Sequence, residues 1–411
     1  MLVSHTEKKG ELAMTDSGLI QRGESKKFLR DKHGGFWEDR GDIGGTRIYA
    51  PAPEWAGNIN FYLFEGPDIL IEPQDKPLCD VPELKLGSIP RDDGNFLLTD
   101  DEKDELLRTD PEAEKLIRPF LGGKEFINRT NRWCLWMKDV EPADVRKCPR
   151  VLERIERVRE FRKKSPRAGT KKQAETPMLF SEIRDCKTNY LAIPQTSSST
   201  RKYIPMEWLT PDIIAGNSLF VGEGATLYHF GVMMSSVHMA WVRCISGRLR
   251  NDYRYSNTLD YNAFPWPVII PTPWIPGGNP YLRRIEGTAQ AILDARAKYP
   301  RSTLADLYDE RTMPPELRKA HNENDEAVMA AYGFSRHYED DRMHDEDITI
   351  ALMYRYQELT WCDEPGRKNY PNRPLWVRYC PEDADDDELE NLELYREMWP
   401  GNPGLDGVEW E

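Results

Sequence analysis

"YHFGVMMSSVHMAWVRCISGRLRNDYRYSNTLDYNAFPWP", residues 228–267, changes character twice along its length. The first part is apolar and long enough for a buried helix over roughly 230–245. The next part, "GRLRNDYRYSNTLDYNAFPWP" (247–267), sets Arg248, Arg250, Asp252 and Arg254 at alternate positions, with Leu249, Tyr253 and Tyr255 between them. Strand side chains alternate between faces, so an extended segment here puts four charges on one side and Leu249, Tyr253 and Tyr255 on the other. "FPWPVIIPTPWIPGGNP" (264–280) follows, and its prolines mark a boundary. Helix, strand and break in succession predict a mixed α+β unit that ends near residue 270.

Downstream of the boundary the pattern turns helical, in "YLRRIEGTAQAILDARAKY" (281–299), "PPELRKAHNENDEAVMAAYG" (314–333) and "DEDITIALMYRYQELT" (345–360). Upstream, "TDDEKDELLRTDPEAEKLIRPFL" (99–121) opens with a Thr/Asp cap and an acidic first turn and reads as helix. "RWCLWM", "NYLAIP", "KYIPM" and "SLFVG" are strand candidates, and "INFYLFEGPDILIE" (59–72) reads as one or two strands around a Gly-Pro turn. Residues 1–57 are polar and Gly-rich, with the loop-like "DRGDIGGTRIYAPAPEWAG". There are no internal repeats.

The 411 residues suffice for two or three domains. Seven scattered cysteines, with no CxxC pair and no Cys/His cluster at ligand spacing, argue for a reducing cytoplasm and against structural zinc. The apolar runs are too short to cross a bilayer and the N-terminus has no apolar signal segment, so a soluble, cytoplasmic protein without membrane partners is expected. Net charge is −14, but residues 381–411 alone carry −11, which leaves −3 for the first 380. Residues 142–172, "PADVRKCPRVLERIERVREFRKKSPRAGTKK", carry +8. In the "VLERIERVREF" half, Glu153, Glu156 and Glu160 are spaced to pair with nearby arginines, whereas "RKKSPRAGTKK" offers no such partners and suits phosphates.

Several chemistries lack their motifs. "HGGFWEDRGDIGG" has no strand before its glycines, "VGEG" lacks the following helix-opening glycine, and "YNAFPWP" is not the Asn-Pro-Pro-aromatic loop that grips a flipped adenine. Walker loops and paired zinc histidines are missing as well. Asp68 with Glu83 and Lys85 has the residue types of a Mg²⁺-dependent nuclease, but chance produces such triplets often and no supporting carboxylate accompanies this one. His238, within "SSVHMAWVRC", reads as a core histidine, and Trp133 and Trp136 read as core aromatics.

"LKLGSIPRDDGNFLLTDDEK", "RPFLGGKEFINRTNRWCLWM", "RVREFRKKS", "RKYIPM", the opening stretch and "STLADLYDERTMPPELRKAHNENDEAVMAAYG" closely resemble the C-terminal half of the MmeI-like restriction-modification DNA methyltransferases, from about Asn58 to Gly333. In that family a nuclease domain and an adenine-N6 methyltransferase domain precede a target-recognition domain and a helical C-terminal domain. The resemblance therefore implies an unmatched segment (1–57), an incomplete methyltransferase remnant (58–80), a DNA target-recognition domain (81–270) and a helical domain with an acidic tail (271–411). The complete family enzyme uses S-adenosylmethionine; its cofactor and base-pocket motifs would lie upstream of anything here, so no catalytic, cofactor or metal residue is expected in this chain.

On this reading the partner is double-stranded DNA. Guanine offers two acceptors to a guanidinium fork and cytosine an amino donor to a carboxylate, so Arg250 and Asp252 are candidates to address one G·C pair. Arg248 and Arg254 suit phosphates, as do Arg201, Lys202 and Tyr203 with Ser197 and Ser198. An ion pair of Arg248 with Asp252 or Asp260 is the plain structural alternative. Two rival functions stand beside this one: half of a split methyltransferase with a separate catalytic chain, and a non-catalytic truncated product or decoy. Incubated with duplex DNA and labelled S-adenosylmethionine, the purified chain should leave the DNA unlabelled; label above a heat-killed control would contradict the motif reading.

Overall fold

The computed structural model describes residues 60–267 except 65 and 68, residues 279–332, 334 and 345–360, and the backbone of four strands nearer the N-terminus. Those strands, β1 (Leu12–Ala13), β2 (Phe28–Arg30), β3 (Phe36–Ile43) and β4 (Thr46–Pro51), form an antiparallel sheet ordered β1-β4-β3-β2. The loop-like reading of this segment is thus corrected. Residues 60–80 carry no strand among the described residues, contrary to the reading of "INFYLFEGPDILIE". Leu63 turns the backbone into the left-handed region (φ 65), and Phe64, Ile69 and Ile71 enter the core singly. Two backbone N–H groups find tyrosine hydroxyls instead of a ladder: Ile71 donates to Tyr62 and Glu72 to Tyr356, at 2.8 and 3.1 Å.

The rest of the chain builds two cores. The first holds β6 (Leu97–Leu98), β7 (Ile117–Leu121) and β8 (Trp133–Leu135), with the two-residue β12 (Ile214–Ala215) returning to pair parallel to β7. Helix α1 (Asp100–Thr109) has the expected capping box between Thr99 and Glu102. The predicted long helix stops there, because Pro111 opens a 3-10 turn and the chain then extends into β7. Short helices α2 (Gly123–Asn128) and α3 (Pro142–Arg146) lead to α4 (Pro149–Lys163) and α5 (Ala168–Lys172). Helix α4 seats Val151, Ile155 and Val158 on this core, and the buried Asp110 carboxylate receives its first N–H groups, from Arg150 at 2.7 Å and Val151 at 3.4 Å.

The second core is shared. Its sheet, ordered β11-β9-β13-β5, comprises β5 (Lys85–Leu86), β9 (Tyr190–Pro194), β11 (Glu207–Leu209) and β13 (Leu219–Glu223). "NYLAIP", "SLFVG" and "RWCLWM" are strands as read, whereas "KYIPM" is buried without being one. Against this sheet pack α6 (Leu227–Met233) and α7 (Ser236–Ile245), two helices where one was read, because Ser235 interrupts the run and caps α7 through the His238 N–H. The predicted C-terminal helices form as α8 (Pro280–Ala297), α10 (Pro315–Tyr332) and α11 (Asp345–Thr360), with one turn, α9 (Leu304–Leu307), between. Ile285, Val328 and Leu352 of these helices lie in one continuous core with Leu191 and Phe220 of the sheet. Gly231 lets α6 meet α8 closely, since a Cβ there would fall 2.7 Å from Ile285.

Arg162, counted above among the surface cations, is buried. Its guanidinium donates to the carbonyls of Pro90, Arg91, Gln173, Thr176 and Leu179 at 2.7–3.2 Å, closing two loops over the end of α4. Arg162→Met should therefore strand several buried carbonyls and lower the unfolding free energy by at least about 3 kcal/mol. Lys164→Met, on the exposed face, should change it by less than about 0.5 kcal/mol. Equal urea midpoints for the two variants would show that Arg162 does not hold these loops.

Candidate nucleic-acid interface

Residues 247–254 form a hairpin, not one extended strand. Strand β14 (Gly247–Leu249) pairs with β15 (Asp252–Arg254), with Arg248 opposite Tyr253 and Leu249 opposite Asp252. Arg250 begins the two-residue turn at φ 60, and Asn251 completes it. Directly opposed residues share a face, so the turn reverses the phase of the alternation. Arg248 and Tyr253 consequently share the inner face, while Leu249, Asp252 and Arg254 share the outer one. Tyr253 and Tyr255 are buried, but Leu249, expected to share their face, is 49% exposed on the other one. Arg248 stacks on the Tyr253 ring at 4.0 Å and donates to the Arg243 carbonyl at 3.2 Å. It makes no ion pair with Asp252 or Asp260 among the described residues. Arg250 and Arg254 are exposed.

The hairpin is clamped at its base. Asp260 is fully buried and its Oδ2 accepts from the Ser256 N–H at 2.6 Å and the Ser246 hydroxyl at 3.2 Å, the residues that flank the two strands. Burial raises the Asp260 pKa to about 7, against the opposing pull of the Ser256 N–H, the Ser246 hydroxyl and Arg248. Behind the strands, His238 is buried with Nε2 3.0 Å from the Tyr255 hydroxyl, and burial lowers its pKa to about 3. It is a core histidine, as its sequence setting implied.

A third strand joins the segments that the sequence separates by about fifty residues. Strand β10 (Thr196–Ser197) pairs with β15, placing Thr196 opposite Arg254 and Ser197 opposite Tyr253. The next turn is tied to the hairpin, because Asp252 Oδ1 accepts from the Ser199 N–H at 3.3 Å. Ser198 and Arg201 are half-buried in that turn, where burial lowers the Arg201 pKa against the pull of Asp252 and Asp309. Lys202 is exposed and lies 3.8 Å from Asp325. Tyr203 requires correction: it is buried, its hydroxyl donates to Asp325 Oδ2 at 2.6 Å, and its ring stacks on His321 at 4.1 Å. It supports the turn from below.

Asp325, on α10, escaped the sequence reading. It accepts from Tyr203, is paired with Lys202, and accepts from the Ser236 N–H at 2.7 Å, so a helix of the C-terminal layer fixes the floor of the turn. No local pattern signals a contact 122 residues apart, and the buried face of α10 carries His321 and Asn324 beside Asp325. Leu249 and Asp260 were also missed as site-forming residues. The Arg-Asn pair at 250–251 was the one available sign of a turn.

The remaining candidates lie elsewhere. Lys164, Arg167, Lys171 and Lys172 are exposed, while Lys163 pairs with Glu160 at 2.7 Å. Along α4, Glu153 and Glu156 pair with Arg150 and Arg159 as their spacing implied. Trp136 is buried, and Trp133 is half-buried beneath Lys103, its indole N–H donating to Asp100 at 2.7 Å. Glu83 pairs with Lys85 at 3.4 Å beside a cleft of about 690 Å³; Asp68 lies outside the described residues, and no group of metal ligands occurs among the described ones. No described helix is long and apolar enough to cross a membrane.

These features define an α+β module, built around an outward hairpin and fused through one core to a layer of helices. The family model of the MmeI target recognition domain matches residues 65–268, and that of the MmeI C-terminal domain matches 281–361. DNA methyltransferase A of Bacillus subtilis (strain 168) is 36% identical over 303 residues, 74% of this chain and 33% of that relative. The Type IIL restriction-modification enzyme MmeI, solved in complex with DNA, aligns at a TM-score of 0.70 and 36% identity over 79% of this chain and 45% of its own. The chain belongs to the MmeI family, of which it carries the target recognition and C-terminal domains, and it spans less than half the length of these relatives.

Because the Asp260 pKa is raised on folding, the folded state holds a proton that the unfolded state releases between about pH 4 and 7. This group's contribution to stability therefore falls as pH rises through that window and levels off above it. Asp260→Asn should gain stability relative to the wild type between pH 5 and 7.5. A difference in urea midpoint that stays constant with pH would refute this.

Proposed function

We propose that this chain is the sequence-reading part of a restriction-modification adenine-N6 DNA methyltransferase, binding double-stranded DNA through the hairpin tip and the adjoining 198–202 turn. The observation that carries the proposal is the juxtaposition of exposed Arg250 and Arg254 with Arg201 and Lys202 on one clamped sheet, inside the segment matched by the target-recognition model. Arg250 forks onto guanine in the major groove and Asp252 accepts from the paired cytosine. Arg254, Arg201, Lys202 and Ser198 hold phosphates, and Arg248 braces the hairpin from its inner face. The exposed cations of 164–172 form a second phosphate rail. The scattered cysteines suit work in the cytoplasm.

S-adenosylmethionine supplies the methyl group in the complete enzyme, and the described residues do not fit it. Of the two strand–Gly–helix turns among the described residues, "VGEG" leaves an antiparallel strand and its Thr226 N–H donates to His229 Nδ1 at 3.0 Å, while at "LGGK" the Gly122 and Gly123 N–H groups are taken by Glu125 Oε2 at 3.1 Å and the Ser218 hydroxyl at 2.7 Å. Methyl transfer is accordingly assigned to a catalytic part outside the described residues, whether in the same polypeptide or in a separate chain.

Binding of the purified chain to duplex DNA should fall linearly on a log-log salt plot, by about 0.9 per phosphate contact. Arg250→Ala should cost about 1–3 kcal/mol on the preferred site and relax preference at one base pair, whereas Arg254→Ala should weaken all sequences alike. Arg250→Glu combined with Asp252→Arg should invert that pair from G·C to C·G. Selection from a randomised duplex pool measures both effects. Uniform loss for Arg250→Ala would reduce the hairpin to an electrostatic contact, and a flat salt dependence would remove the DNA reading altogether.

A further inference from the structure

The outer face of the hairpin holds one residue that its neighbours do not explain. By register, Thr196, Gly247, Leu249, Asp252 and Arg254 point outward, while Ser197, Arg248 and Tyr253 point inward. Isolated exposed apolar side chains are ordinary, and Leu70 and Leu152 are such cases. Leu249 differs in its setting, because it is ringed by Arg250, Asn251, Asp252 and Arg254 and lies directly across from Asp252. A leucine among charges gains little within the chain. It gains from a partner only if that partner has an apolar spot inside a field of negative charge. The major groove has one, the 5-methyl group of thymine.

Gly247, opposite Arg254 on the same face, adds an independent observation. Its φ lies outside the left-handed region, and a Cβ built there would meet nothing within 4 Å. The fold does not require a glycine here, and strand glycines weaken the strand by about 0.5–1 kcal/mol relative to alanine. Close approach of a ligand is one of the recurrent settings of a strand glycine, and the open space at Gly247 leaves room for it. The β14–β15 ribbon, with about 4.8 Å between strands, fits a groove about 12 Å wide.

We infer that the outer face of the β14–β15 ribbon lies against the base edges of the major groove, with Leu249 contacting a thymine 5-methyl group and Gly247 providing the clearance for that approach. The inference rests on the DNA-reading function proposed above and adds a specificity contact next to the G·C pair addressed by Arg250 and Asp252.

The test uses the full chain and the duplex preferred in the pool selection, with each thymine replaced in turn by uracil, which removes only the methyl group. The wild type should lose about fourfold in affinity at one thymine. Leu249→Ala should bind the thymine duplex about fourfold more weakly and show no further loss with uracil at that position. Gly247→Val should keep a thermal midpoint at or above that of the wild type and still bind every duplex at least tenfold more weakly. If Gly247→Val fails to fold, Gly247→Ala, which adds a single methyl, should show a smaller loss in the same direction. The inference is overturned if no thymine is sensitive to loss of its methyl, if Leu249→Ala remains as sensitive as the wild type, or if the folded Gly247 variants bind normally. Each of those results leaves the DNA-reading function intact as long as the wild type selects a sequence. A wild type that binds no duplex at low salt overturns both.

Discussion

One carboxylate, Asp325 on helix α10, ties the candidate reading surface to the helical layer. It receives the Tyr203 hydroxyl and the Ser236 N–H and pairs with Lys202, so a residue from the C-terminal helices holds a turn that lies 122 residues earlier. Burying a carboxylate is costly unless donors surround it. Burial pushes the Asp325 pKa up, and Tyr203, Lys202 and Ser236 pull it back. Neighbouring groups extend the same link: His321 stacks on Tyr203 and lies 2.9 Å from the Tyr308 hydroxyl, which accepts from Arg296. Arg296 in turn donates to the Met206 carbonyl, just beyond the turn. Sheet, turn and helices are thus parts of one packed unit, although the chain crosses a Pro-rich boundary between them.

What the sequence revealed follows from the range of each interaction. Helices α8, α10 and α11 were legible because their 3.6-residue periodicity is local, and the α1 start because its cap involves Thr99 and Glu102, three residues apart. Strands β9 and β13 showed as short apolar runs. The hairpin was not legible as such, because strand alternation assumes continuous extension and a turn at Arg250 reverses it. Residues 59–72 have strand composition, but tyrosine hydroxyls satisfy two of their N–H groups. Tyr203 stood in a polar, cationic context, and distant contacts with Asp325 and His321 place it in the core. The family was legible from long motifs, and its geometry was not.

Charge counting shows the same limit. The +8 of residues 142–172 overstates what a phosphate can meet, since Arg162 is consumed by five carbonyls and Arg150, Arg159 and Lys163 by neighbouring glutamates. Exposed pairs of that kind contribute only a few tenths of a kcal/mol each and yield readily to a polyanion. Arg162 does not, because its removal would leave carbonyls buried without donors.

The left-handed backbone at Arg250 restricts the vocabulary of this hairpin. At φ 60, Val, Ile and Thr clash with their own backbone, whereas Gly, Asn, Asp and unbranched side chains are accommodated at modest cost. The residues that fit include those whose ends carry forks, amides or carboxylates, the groups that distinguish base edges. If Arg250 reads a base as proposed, this position can exchange one polar side chain for another as related chains diverge, while β-branched residues are filtered out by the turn itself. The core beneath need not change at all. On that proposal, a new target sequence needs only a substitution at an exposed turn position, with the turn acting as a grammar that excludes branched letters.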